Sequence, residues 1–317
     1  MEKDEDGFSK AASLIASDLQ SMGDEKIASY ITDLFLPLDW CINDPPECHF
    51  DKDYKTIYGP LLVAEPIYND ILSSINSIKD HSINKFLFYG ESETGKTETV
   101  KQIARILRNA LYIVDYEKII GSSLEETKAN LSELFAEFGR LSYRTRLIIF
   151  FDDIDFILMK STTQSIIEGI KGISSNITVI ASTTNICDIP ESLKSIFDKT
   201  ISFNRYSRDD LEEIATRLLG YLIKDYTSLK KDDELFNKIL KLSPSLPLPG
   251  IMKNVILSSF MCGNISNSYG YLGVIYKALL NVSNCEVSLL KEQGFTIDEI
   301  EKLTLKGRED IEGELLA

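Results

Sequence analysis

Apolar positions recur at helical spacing over residues 8 to 36: Ala12, Ile15, Ala16 and Leu19, then Ile27, Tyr30, Ile31 and Leu34. Gly23-Asp24 interrupts the pattern and suits a turn followed by an N-cap, so the stretch predicts a helical hairpin. Residues 37 to 60 hold Pro37, Pro45, Pro46 and Pro60 among polar residues, which predicts a linker or irregular segment. A short helix is predicted from Pro66 to about Ile78. From residue 85 the period changes to short β-rich runs separated by helical stretches. The runs are Lys85 to Tyr89, Leu111 to Asp115, Leu147 to Phe151, Ile177 to Ala181 and Thr200 to Phe203. Three are almost continuously apolar, as strands are when helices cover both faces of a parallel sheet.

After Phe203 no further strand is evident. Helical patterns run from Asp209 to Leu222, Glu234 to Leu242, Gly250 to Met261 and Tyr271 to Val282. The tail from Ser288 opens a further helix with the capping-box sequence Thr296-Ile-Asp-Glu299 and ends acidic. The expected organisation is therefore an N-terminal hairpin and linker over 1–59, an α/β domain over 60–205, a helical domain over 206–285 and a helical tail over 286–317.

A length of 317 residues fits about two compact units at roughly 150 residues per domain. The hydrophobic share of 44% is ordinary, and no apolar run approaches the roughly 18 residues a membrane span needs. The acidic start, Met1-Glu-Lys-Asp-Glu-Asp6, lacks the pattern of an export signal, so a cytoplasmic, soluble protein is expected. Cys41, Cys48, Cys187, Cys262 and Cys285 are odd in number and widely spaced, which favours reduced thiols. Cys41, Cys48 and His49 lack the second Cys pair that zinc spacing requires, and the other histidine is His81. A net charge of −15 and a pI near 4.7 set the chain as a whole against a nucleic-acid backbone.

Candidate chemistry is concentrated in two places. Gly90-Glu-Ser-Glu-Thr-Gly-Lys-Thr97 matches the P-loop pattern and sits where that pattern must, after an apolar strand and opening a helix. Its glycines let backbone N–H groups turn inward around phosphate oxygens, Lys96 reaches the β- and γ-phosphates, and the Thr97 hydroxyl ligates magnesium. The nucleotide-contacting set is Gly90, Glu91, Ser92, Glu93, Thr94, Gly95, Lys96, Thr97 and Glu98. Leu147-Ile-Ile-Phe-Phe-Asp-Asp-Ile-Asp155 is a buried strand ending in acids, at the strand end where parallel sheets bind ligands. Asp152 is expected to hold magnesium through water, and Asp153 to face the attacking water.

The order of P-loop, Phe-Phe-Asp-Asp-Ile-Asp155 and a later strand ending Ala-Ser-Thr-Thr-Asn185 resembles an AAA+ ATPase over about residues 60 to 265. The resemblance implies a P-loop NTPase fold of AAA+ type: a parallel five-stranded sheet flanked by helices, with a helical lid behind it. It implies ATP and Mg2+ as cofactors and assembly as a homo- or hetero-oligomeric ring around a protein partner. It places the strand carrying Ile177 to Ala181 between the strands of the first two motifs. Asn185 fits the polar sensor that orients the lytic water, and Thr184 takes that place if the alignment slips by one. Asn185-Ile-Cys-Asp-Ile-Pro-Glu191 also resembles replication initiators of the family. By contrast, Ile120 to Leu131 and Leu248 to Asn254 resemble the pore loop and lid helix of bacterial remodelling ATPases.

Several positions depart from the family pattern. The pore-loop positions read Ser123, Leu124 and Glu125 in place of an aromatic grip. Lys194, Ser195 and Ile196 stand before Phe197-Asp198 where the family has its arginine finger, and lysine lacks the guanidinium fork. Asp153 is one methylene shorter than the usual glutamate, and the lid offers Lys253 for the second-sensor arginine. Glu93 stands where the remodelling branch has glycine. The tail from Leu290 to Thr304 looks like the start of a helix-turn-helix, but acids on its would-be recognition helix, Arg308 to Leu315, favour packing or a protein partner over DNA. Three functions follow, in order of preference: an ATPase, slow without a partner, that remodels a protein; a nucleotide-gated binding subunit with little hydrolysis; and an initiator-like DNA-binding ATPase.

Overall fold

The computed structural model describes residues 50–52, 61–80, 83–141, 146–158, 162–262 and 267–316. The expected N-terminal hairpin, together with Cys41, Cys48, His49 and His81, lies outside the described residues. The chain divides into two compact units. The first contains Ile71–Tyr89 and Thr97–Ile201; the second contains Gly59–Asp70, Gly90–Lys96 and Ser202–Ala317.

A sheet of six strands lies in the order β1-β3-β4-β5-β2-β6. The strands are β1 (Phe50–Lys52), β2 (Lys85–Tyr89), β3 (Ala110–Val114), β4 (Leu147–Phe151), β5 (Ile177–Thr183) and β6 (Lys199–Ser202). β3, β4, β5 and β2 pair in parallel, with Phe151 opposite Ala181 and Leu87 opposite the same residue. β5 therefore separates the strand that feeds the glycine loop from the strand that ends in acids, as the resemblance implied. β1 pairs antiparallel with β3 and adds an edge strand inside the segment expected to be irregular.

All of β4 and β5 is buried, which explains their unbroken apolar runs. On one face Leu147, Ile149, Phe151, Ile177, Val179 and Ala181 join a core with Leu131, Leu134 and Phe138 of the helix Leu124–Leu141 and Ile166 and Ile170 of the helix Thr163–Gly172. Those helices cross tightly: a Cβ on Gly169 would fall 2.1 Å from the Phe135 ring. The alternate residues Ile148, Phe150, Ile180, Phe86 and Phe88 are fully buried as well. Two strand ends differ from expectation for local reasons. Asp115 leaves β3 because its carboxylate caps the short helix Tyr116–Ile119, accepting from Glu117 N–H. β5 runs on through Ser182 and Thr183, which are buried and in register with Phe88 and Tyr89.

The second unit is helical: Arg208–Leu222, Asp233–Leu242, Pro249–Cys262, Gly270–Leu280, Val287–Glu292, Ile297–Thr304 and Arg308–Leu316. One core holds Leu219, Phe236, Ile239, Ile256, Tyr271, Ile275 and Tyr276 together with Leu290, Phe295, Ile300 and Ile311, so the tail packs into it. Gly273 lets two helices meet at backbone distance, since a Cβ there would lie 2.2 Å from the Leu303 carbonyl oxygen. Ser207 with Asp210 and Thr296 with Glu299 form reciprocal capping boxes. Among the described residues no helix is long and apolar enough to cross a membrane.

Candidate functional site

At the end of β2 the chain turns on Gly90, whose φ of +155° places it outside the range L side chains adopt readily. A Cβ at Gly90 would meet Phe203 Cβ at 2.9 Å and Asn204 Oδ1 at 2.8 Å, so the close approach also requires glycine. Asn204 Oδ1 accepts from Glu91 N–H at 2.8 Å, and the Thr94 hydroxyl donates to the Glu91 carbonyl at 2.7 Å. Glu93 and Gly95 take φ of +66° and +93°. The curl closes over Lys96, which is buried and donates from Nζ to the carbonyls of Gly90 at 2.7 Å and Glu91 at 2.9 Å. The loop thus forms around its own cation, and the helix Lys96–Leu107 starts there with Glu98 in its first turn.

In the first unit, the Thr97 hydroxyl donates to Asp152 Oδ2 at 3.0 Å. The other oxygen, Oδ1, accepts from the Ser182 hydroxyl at 2.6 Å. Ser182 also receives Asp153 N–H on its hydroxyl oxygen at 2.8 Å and Ile154 N–H on its carbonyl at 2.9 Å. A single buried serine on β5 therefore fixes both acids of the turn. Asp153 sits at φ +50°, an uncommon conformation for a non-glycine residue, with its side chain in an exposed position. The sequence reading missed Ser182; its only signal was a polar residue inside an otherwise apolar strand end.

These features fit a nucleotide and its magnesium. Three loop residues at positive φ and a buried lysine make a curl of the kind that suits phosphate, and a hydroxyl stands one hydrogen bond from a carboxylate, the pair of oxygens a hard cation takes. Among the described residues no group of three or more His, Cys, Asp or Glu could hold a metal by itself.

A family model described as ATPase family associated with various cellular activities (AAA) matches residues 86–205. Residues 86–205 match an AAA domain. The chain is 23% identical over 199 residues to a 26S proteasome regulatory subunit homologue of Methanothermobacter marburgensis, covering 58% of this chain and 51% of that relative. The chain thus spans about half the length of that relative. Among solved structures, C. elegans PCH-2 is similar at a TM-score of 0.56 and 10% identity, covering 70% of this chain and 69% of that one. The FIGL-1 AAA domain is similar at a TM-score of 0.56 and 13% identity, over 77% and 89%. A chain of the E. coli MS115-1 HORMA:CdnC:Trip13 complex is similar at a TM-score of 0.53 and 16% identity, over 68% and 89%.

The remaining sequence candidates, Asn185 and Lys194, make their side-chain bonds within their own segments. Asn185 accepts Cys187 N–H on its side-chain oxygen at 3.1 Å, capping the short 3-10 turn Ile186–Asp188. Lys194 ends the four-residue helix Glu191–Lys194 and pairs with Glu191 at 2.7 Å. The Glu191 side chain is 88% exposed, so that pair is readily exchanged. Asp198 is structural: its Oδ2 accepts the N–H groups of Asn84 and Lys85, which fixes the start of β2. Tyr116 is a residue the sequence reading did not single out. Its ring packs on Phe156 at 5.9 Å, and its buried hydroxyl makes no hydrogen bond. Burial first, then the charges of Asp152, Asp153 and Asp155, push its ionisation well above the usual tyrosine range, so it faces the acidic turn as a neutral O–H.

Proposed function

We propose that this AAA domain binds ATP with Mg2+, hydrolyses it, and couples nucleotide state to the remodelling of a protein partner. The observation that carries the chemistry is the chain of hydrogen bonds Thr97–Asp152–Ser182, with Ser182 also holding Asp153. Magnesium would screen phosphate charge and orient the phosphoryl group. Thr97 and Asp152 would hold it, and Gly90 to Thr97 with Glu98 would surround the phosphates. Asp153 would accept a proton from water, and Ser182 keeps its backbone in the conformation that presents it. Asn185 remains the candidate for orienting that water. The protein-partner reading draws on the relatives, one named as a proteasome regulatory subunit homologue and one found in a complex with HORMA and CdnC.

A second reading, a nucleotide-gated binding subunit with little turnover, is favoured by how the local cations are used. Arg208 is committed to the carbonyls of Leu240 at 3.0 Å and Ser243 at 2.8 Å, and Arg205 pairs with Asp70. Lys194 is then the candidate in place of an arginine finger, whose contribution where measured is about 10³ to 10⁵ in rate. Steady-state turnover, run across protein concentration and with candidate partners, separates the readings. Asp153→Asn is expected to keep ATP binding and lower turnover at least about a hundredfold, while Asp152→Asn weakens Mg2+-dependent binding. Parental turnover in Asp153→Asn would remove that residue from the mechanism. No turnover under any condition, with ATP still bound, would select the second reading.

A further inference from the structure

The phosphate loop is anchored within the helical unit at three points. Glu91 N–H donates to Asn204 Oδ1 at 2.8 Å, the Tyr206 hydroxyl donates to the Thr94 carbonyl at 2.7 Å, and Gly250 N–H donates to the Glu93 carbonyl at 2.9 Å. The third contact is a helix cap supplied from a distant part of the chain. The helix Pro249–Cys262 opens on a proline, which has no N–H, so Gly250 carries one of the donors that a first turn cannot satisfy internally. Glu93 provides the acceptor.

Its side chain follows its backbone. A Cβ built on Gly250 would stand 2.0 Å from Glu93 Oε2 and 3.0 Å from Glu93 Cβ, so the carboxylate lies directly over the start of a 14-residue helix. That end carries the positive pole of the helix dipole and favours an anion. Glu93 meanwhile holds a φ of +66°, a conformation that glycine adopts without cost and glutamate does not. The strain is kept at a point where glutamate does something glycine cannot.

We infer that Glu93 is a positioning residue that caps the helix Pro249–Cys262 from the phosphate loop and thereby couples occupancy of the loop to the order of that helix. The inference rests on reading Gly90 to Thr97 as the nucleotide loop. A bound triphosphate brings several negative charges onto the loop that carries Glu93. Like charges drive the carboxylate toward the positive helix end, so ATP strengthens the cap and slows opening of the first helical turn. By reciprocity, a well-capped helix favours bound ATP by the same factor.

A double-mutant cycle between Glu93→Gly and Gly250→Ala tests this. Gly250→Ala adds a methyl group that evicts the carboxylate and presses on Glu93 Cβ, both of which are absent in Glu93→Gly. It is expected to weaken MgATP binding about tenfold in the parent background and less than about twofold in Glu93→Gly, where nothing remains to evict. Equal fold-changes in the two backgrounds overturn the inference. Amide hydrogen exchange of residues 250–254 provides a second readout that does not depend on the alanine variant folding well. Protection should rise on adding MgATP to the parent and stay flat in Glu93→Gly; a rise of the same size in both overturns the coupling. Failure of the parent to bind MgATP at all would overturn the nucleotide reading itself, which keeps the two failures distinct.

Discussion

At the scale of residues, the loop from Gly90 to Thr97 was legible because its chemistry is written in consecutive positions. Gly90 and Gly95 carry the positive φ their pattern requires, and Lys96 sits inside the curl. Asp152 was legible for the same reason, as an acid at the end of an apolar strand. Ser182 was not, since its partners lie about thirty positions away and are brought together only by the pairing of β4 with β5. Its role makes a direct prediction. Ser182→Ala removes the donor to Asp152 and the acceptor for Asp153 N–H in one change. It should cost about 1–3 kcal/mol of stability and lower ATP turnover at least about tenfold. Thermal melts and steady-state rates check both, and a folded variant with parental turnover would show that Ser182 does not position the acids.

Elements were legible where their period was strong and their ends carried side-chain caps. Strands β2 to β6 follow from short β-rich runs, and the capping box at Thr296 and Glu299 marks a helix start that the structure contains. β1 was not legible: three residues in a proline-rich stretch have no period, and their strand state comes from pairing with β3. The tail docks through two ion pairs at helix ends. Lys302 reaches Asp232 at 2.6 Å, where Asp232 caps Asp233–Leu242, and Lys238 reaches Glu299 at 2.8 Å. Burial pushes both carboxyls up, but the lysine and backbone N–H bonds outweigh it and hold them below the usual range. A depressed folded-state value means this stabilisation is present above the unfolded value of about 4 and lost as pH falls through the folded one. Lys302 is raised by its bond to Asp232, so its share is full below about pH 10 and lost as pH rises through its folded value. The melting midpoint should therefore be level near neutral pH and fall below about pH 4. Asp232→Asn, which keeps an N-cap side chain but removes the charge, should lower the neutral midpoint and flatten the acid slope. An unchanged acid slope in that variant would place the acid lability elsewhere.

For the whole molecule, the family resemblance and the α/β architecture were legible because motif order and strand order carry the same information. The Gly90–Lys96 segment belongs to the same compact unit as the helices that follow Ser202, although it is contiguous with Thr97. That grouping arises from contacts of Glu91, Glu93 and Thr94 with Asn204, Gly250 and Tyr206, none of which are near in sequence. Net charge of −15 remains spread over the chain, and the last helix carries Glu309, Asp310, Glu312 and Glu314. The central claim is that the loop around Lys96 takes the phosphates of ATP. Its most direct test is equilibrium MgATP binding to the purified chain and to Lys96→Ala, with circular dichroism confirming that both are folded. The parent should bind saturably in the micromolar range, and Lys96→Ala should bind at least about a hundredfold more weakly, because it removes the cation that meets the β- and γ-phosphates. A folded Lys96→Ala protein that binds MgATP as tightly as the parent would contradict the account.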